Sequence, residues 1–254
     1  MLLALRISFS NIKKKFGNNV VLNGVSGEFK DMESIILLGG SGTGKSVLIK
    51  IICGLLQQDS GDIEIDGYNM NKISTKNKQE FMDNIGFLFQ SGALFDSLKV
   101  WENIAFKLIH KNNLSVTKAR DLAAEKLEMI GLKPRVMDMN IYELSGGMQK
   151  RVSLARTIAS NPKVIFFDEP TTGLDPVMSE VINDLIIKCS KFLKSTNIIV
   201  THDMKSAKKL GDKILFLYKG EVLWNGTRDN LFDSGNQYLH QFVNGYSIGP
   251  IVFN

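Results

Sequence analysis

The run Gly39-Gly40-Ser41-Gly42-Thr43-Gly44-Lys45-Ser46 meets the spacing G-x-x-x-x-G-K-[ST]. It follows the apolar stretch Ile35-Ile36-Leu37-Leu38 and precedes Val47-Leu48-Ile49-Lys50-Ile51-Ile52, which reads as a helix. Glycines at these positions let a backbone wrap a polyphosphate with its N–H groups pointing inward. The start of the helix adds partial positive charge. Lys45 can then reach the outer phosphates, and the Ser46 hydroxyl can ligate Mg²⁺. A second chemical pair is Asp168-Glu169, which ends the apolar run Val164-Ile165-Phe166-Phe167. Such a pair more often caps a helix. Beside a phosphate loop it reads differently: ligands gather at the carboxyl ends of strands in an open α/β sheet. Asp168 would hold the metal, and Glu169 would polarise an attacking water. A third element, Ser145-Gly146-Gly147, opens a basic helix and suits a second anion-binding helix start, or simply an N-cap.

These residues need a frame of strands and helices. Residues 6–10 alternate as a strand does; 20–22, 25–29, 35–38 and 63–65 read as further strands. Residues 116–130 carry Ala119, Leu122, Ala123, Leu127 and Ile130 at helical spacing and stop at Gly131, a natural C-cap. Beyond them come a buried strand at 164–167, a helix at 176–193 and a strand at 197–200. A late hairpin is expected around Lys219-Gly220. Alternating strands and helices imply a parallel sheet covered by helices. The antiparallel start and the helical middle are additions to that sheet.

Composition narrows the class. The chain has 254 residues, 44% hydrophobic and 22% charged, which excludes a disordered, collagen-like or coiled-coil protein. Cys53 and Cys189 stand far apart without metal-ligand spacing, which argues against a disulfide scaffold and suits a reducing compartment. The net charge of +5 reads as a solvated basic surface, and the longest basic run, Lys13-Lys14-Lys15, is too short for a nucleic-acid arm. No stretch reaches the roughly 18 apolar residues of a spanning helix, and the start lacks the marks of a signal peptide. The expectation is a chain that stays in the cytoplasm unless a partner holds it at a membrane.

The string Leu144-Ser145-Gly146-Gly147-Met148-Gln149 resembles the signature motif in the ATP-binding subunits of ABC transporters. Other family elements fall in order: Gln90 resembles the Q-loop glutamine, Gly173-Leu174-Asp175-Pro176 the D-loop, His202 the switch histidine and Phe16 the aromatic that stacks on adenine. The resemblance covers essentially the whole chain. It implies an α/β P-loop NTPase fold over residues 1–254 as one ATP-binding domain. That domain would have a RecA-like core, an antiparallel β subdomain and a helical subdomain at about 91–160. It implies ATP and Mg²⁺ as ligands, with Gly39, Gly40, Ser41, Gly42, Thr43, Gly44, Lys45, Ser46 and Val47 on the nucleotide. Ser46, Gln90 and Asp168 fall at the metal, while Glu169, His202 and Gln90 serve hydrolysis. Two copies would sandwich two ATP molecules, with Ser145, Gly146, Gly147 and Asp175 of one copy completing the other's site.

The segment Phe87-Leu88-Phe89-Gln90-Ser91-Gly92-Ala93-Leu94-Phe95-Asp96 and the Met148 in the signature are similar to Mla/Mkl-type ATPases, which energise phospholipid transport. So is the tail 241–253; it stops at Asn254, so any longer extension that clasps a partner copy would be missing. This resemblance implies separate permease subunits, a lipid-binding substrate protein and a peripheral place on the cytoplasmic side of the inner membrane, with no nucleic-acid partner. Rivals are a cassette for another small solute, a soluble ABC ATPase acting on DNA or ribosomes, and a non-hydrolysing scaffold. Leu94, Phe95, Leu98, Val100 and Trp101 look exposed, and Leu94 and Phe95 are expected to line a groove for a permease helix.

Overall fold

The computed structural model describes residues 6–252. The apolar start at 1–5 and the tail residues Phe253 and Asn254 lie outside the described residues. The chain forms two compact units: Asn84–Ser195, and the parts before and after it.

The first part opens with β1 (Ile7–Phe16) and β2 (Asn19–Phe29), an antiparallel pair. The alternation expected at 6–10 continues past its apparent end. Ile7, Phe9 and Ile12 are all buried, so the inward pattern skips one residue at Asn11. Asn11 has φ 52° and the register shifts between Phe9 and Ile12. This is a β-bulge, which resets the pleat without ending the strand. Residues 20–22 and 25–29, expected as separate strands, are likewise the one irregular strand β2. β3 (Ser34–Leu38) follows and leads to α1 (Lys45–Ile52). Then come β4 (Ser60–Ile65), β5 (Tyr68–Asn69) and α2 (Thr75–Asp83). The strand order β2-β1-β4-β5 makes an antiparallel sheet.

The unit Asn84–Ser195 begins with β6 (Ile85–Leu88). Its helices are α3 (Val100–Asn112), α4 (Val116–Met129) and α5 (Gly146–Ile158). Ala119, Ala123, Leu127 and Ile130 are fully buried along one stripe, as their helical spacing predicts. α4 stops before Gly131, whose φ of +71° only glycine adopts freely. β7 (Val164–Asp168) pairs parallel with β6. α6 (Pro176–Leu193) starts where Asp175 accepts the Met178 N–H at 2.9 Å and proline takes the first turn.

The remaining residues return to the first unit. They form β8 (Thr196–Thr201), α7 (Met204–Leu210), β9 (Lys213–Tyr218), β10 (Glu221–Thr227) and α8 (Gln237–Asn244). β3 lies between β8 and β9, parallel to both, and the centres of all three are apolar and buried. β9 and β10 form the expected hairpin; Lys219 and Gly220 both have positive φ (47° and 76°), the type I′ turn that matches strand twist. Among the described residues no helix is long and apolar enough to cross a membrane.

Candidate functional site

In the first unit, β3 and β8 are level at their ends: Leu38 is paired with Thr201. The loop Gly39–Ser46 therefore leaves β3 at the same end at which His202 leaves β8. Gly44 is the N-cap of α1 with φ 96°, and a Cβ there would meet the Leu22 side chain at 2.7 Å and the Val21 carbonyl at 2.8 Å. Both constraints require glycine. Lys45 is 6% exposed, and its ammonium donates to the carbonyls of Gly39 (2.8 Å) and Gly40 (2.7 Å). Thr43 Oγ1 donates to the Gly40 carbonyl at 2.9 Å. Ser41 and Gly42 are exposed at the tip; Ser46 and Val47 lie half-buried in the first turn of α1. His202 is exposed. Next to it, Asp203 accepts the Lys205 and Ser206 N–H groups and the Ser206 hydroxyl. Burial raises the Asp203 carboxyl, but these hydrogen bonds and the His202 ring hold it below the ordinary aspartate value. Phe16, at the end of β1, is half-exposed with the Lys14 ammonium 5.5 Å from its ring centre.

In the second unit, β6 and β7 are also level, with Leu88 paired to Phe167. Gln90, Asp168 and Glu169 thus emerge at one end of that pair. Asp168 and Glu169 are half-buried and Gln90 is exposed. Glu169 has φ 50°, a left-handed conformation uncommon outside glycine. Its carboxylate accepts from Thr172 Oγ1 at 2.9 Å. Ser145 caps α5 by accepting the Met148 N–H at 3.3 Å, which leaves Ser145 and Gly146 exposed at the helix start. Gly147 packs against Met178, where a Cβ would stand 3.0 Å from its sulfur. Asp175 is exposed at the start of α6.

The segment after Gln90 corrects one expectation. Val100 is fully buried, because it opens α3 and faces inward. Leu94, Leu98 and Trp101 are half-buried, while Phe95 is 38% exposed. Sequence reasoning also passed over Asn103. It is fully buried and clamps the segment, accepting the Phe95 N–H at 2.8 Å and donating to the carbonyls of Phe95, Leu98 and Lys99. A single polar residue between Val100 and Ile104 on an apolar face is the signal that could have found it.

Each residue expected at the metal carries a hard oxygen: Ser46 a hydroxyl in the first unit, Gln90 an amide oxygen and Asp168 a carboxylate in the second. Mg²⁺ takes hard oxygen ligands and is held by few protein groups together with phosphates and water.

The family model described as ABC transporter matches residues 22–172. This chain belongs to the ABC transporter family. It is 36% identical to the probable ribonucleotide transport ATP-binding protein mkl of Mycobacterium leprae, over 99% of this chain and 72% of that protein. It is 35% identical to the intermembrane phospholipid transport system ATP-binding protein MlaF of Haemophilus influenzae, over 97% of this chain and 93% of that protein. Among solved structures, the dimeric post-hydrolysis state of the ATP-binding cassette MJ0796 with ADP and Pi matches with a TM-score of 0.79 and 33% identity. That match covers 87% of this chain and 98% of the other. The ABC transporter chain is thus an ATP-binding ATPase subunit with the α/β fold of these cassettes.

Proposed function

We propose that this ABC ATPase energises transport of phospholipids or related hydrophobic lipids through a separate membrane permease. The observation that carries the reading is the likeness to MlaF, which runs through nearly the full length of both chains. In this reading residues 1–254 form one ATP-binding domain, with a helical subdomain at about 91–160, peripheral on the cytoplasmic side of the inner membrane. Its partners are the permease, a second copy and a lipid-binding substrate protein.

Each residue then has a role. Phe16 stacks on adenine, and the loop from Gly39 to Val47 holds the phosphates. Ser46, Gln90 and Asp168 would hold Mg²⁺, which would supply charge stabilisation at the phosphates. Glu169 takes the proton from the attacking water, and His202 contacts the outer phosphate. Ser145, Gly146, Gly147 and Asp175 serve the site of the second copy. Leu94 and Phe95 line a groove for a cytoplasmic helix of the permease.

A second reading keeps the mechanism and changes the cargo; the mkl relative, 36% identical, carries a ribonucleotide name. The test is ATPase activity of the chain co-purified with its permease in vesicles. Phospholipid added with the substrate protein should stimulate turnover. Stimulation by ribonucleotides or other small solutes, and none by phospholipid, overturns the lipid reading.

A further inference from the structure

Three side chains on one face of α5, Lys150, Ser153 and Arg156, meet the backbone of the segment that begins at Gln90. Their spacing of three residues sets them on one stripe of the helix. The Lys150 ammonium donates to the Gln90 carbonyl. Arg156 donates to the Ala93 carbonyl at 2.6 Å. Between these anchors Gly92 lies against Ser153, so closely that a Cβ would stand 2.5 Å from the Ser153 oxygen. The stripe is itself fixed. Ser153 Oγ donates to the Gln149 carbonyl at 2.9 Å, and the Arg156 guanidinium lies 4.6 Å from the Phe95 ring centre and 5.9 Å from that of Phe106.

The gripped backbone is strained. Gly92 has φ 78° and Ala93 φ 48°, two left-handed residues in succession, the second of them one that rarely adopts this conformation. Such a backbone persists only when its surroundings over-determine it. Lys150 also feels Glu169: burial lowers its ammonium from the ordinary lysine value, and the Glu169 carboxylate opposes that shift.

We propose that Lys150, Ser153 and Arg156 are positioning residues for hydrolysis, clamping the backbone at 90–93 so that the Gln90 side chain stays in place. The proposal rests on the reading of Gln90 as the residue at the metal and attacking water. Because Ser145 caps α5, the helix that presents Ser145 and Gly147 also holds the Gln90 backbone.

The test is steady-state ATPase of the full chain with Mg²⁺, comparing Lys150→Met, Arg156→Gln and Lys150→Arg. Misplacing a group in the reacting geometry should lower kcat on the order of ten- to hundredfold in the first two variants. KM for ATP should change little, because the phosphate loop is untouched. Lys150→Arg keeps a donor and should recover most of the turnover. The double variant Lys150→Met/Gln90→Ala should be no slower than Gln90→Ala alone. If Arg156→Gln lowers the melting temperature, half-buried Lys150 carries the test by itself. Normal turnover in Gln90→Ala sinks the reading of Gln90. A slow Gln90→Ala beside a normal Lys150→Met sinks the clamp alone, as does an additive loss in the double variant.

Discussion

Thr172 donates its hydroxyl to the carboxylate of Glu169 at 2.9 Å, three residues further along the turn that follows β7. The bond fixes a side chain whose own backbone stands in a left-handed conformation. Glu169→Gln preserves the shape and a hydrogen-bonding oxygen but removes the carboxylate's charge and its capacity to take a proton. ATP-bound dimers that persist, with phosphate release lost, are the expected result. Gel filtration with ATP and Mg²⁺ beside a phosphate-release assay checks it, and normal turnover removes Glu169 from the role.

Lys45 sits inside its loop on the carbonyls of Gly39 and Gly40. Removing a charge-assisted contact to phosphate costs about 2–3 kcal/mol, roughly a thirty- to hundredfold loss in affinity. Lys45→Ala should therefore bind labelled ATP that much more weakly while its far-ultraviolet circular dichroism stays that of the parent. Unchanged affinity would mean that the loop is not the nucleotide site.

Phe95 packs against Phe106 at 4.5 Å between ring centres, with the Arg156 guanidinium on its other contact. A glutamate at this half-open position lies within reach of that guanidinium, so Phe95→Glu should stay folded and still bind ATP while it loses the permease on co-purification. Retained tight binding of the permease would place the groove elsewhere; a collapsed thermal melt would make Phe95 a core residue.

Burial pushes both thiols, Cys53 and Cys189, up to about 11. In the unfolded chain they ionise nearer 9, so between these values the unfolded state holds fewer protons than the native one. Stability should thus decline as pH rises from about 9 towards 11. Chemical denaturation across that range, compared with a Cys53→Ala/Cys189→Ala variant, isolates the slope. Iodoacetamide should label neither thiol quickly at neutral pH until the chain is denatured.

The parts of the molecule legible in sequence are those whose signals are local. The loop 39–46 is a fixed spacing, and α6 has the ends expected because Asp175-Pro176 caps its start. The hairpin at Lys219-Gly220 follows from the turn pair itself. What escaped depends on neighbours distant in the chain. The bulge at Asn11 is accommodated by the backbone near Gly61, where no Cβ would fit beside the Asn11 carbonyl. Val100 is one of several apolar residues interspersed with polar ones between Leu94 and Trp101, so nothing local separates a core position from a docking surface. Lys150 reads as one more basic residue of a signature helix until the Gln90 carbonyl is found above it.

β3 holds a lesson about birth rather than activity. Its neighbours β8 and β9 begin at Thr196 and Lys213, long after Ser34 has left the ribosome. Residues 84–195 are contiguous and can condense as they emerge, whereas the unit around β3 must wait for the residues from Thr196 onward. Throughout that wait Ile35-Ile36-Leu37-Leu38 is an uncharged apolar ribbon with both edges open, the kind of segment that seeks a stranger's edge. The order in which these strands are made thus leaves β3 without its sheet neighbours until residues 196–218 have followed it.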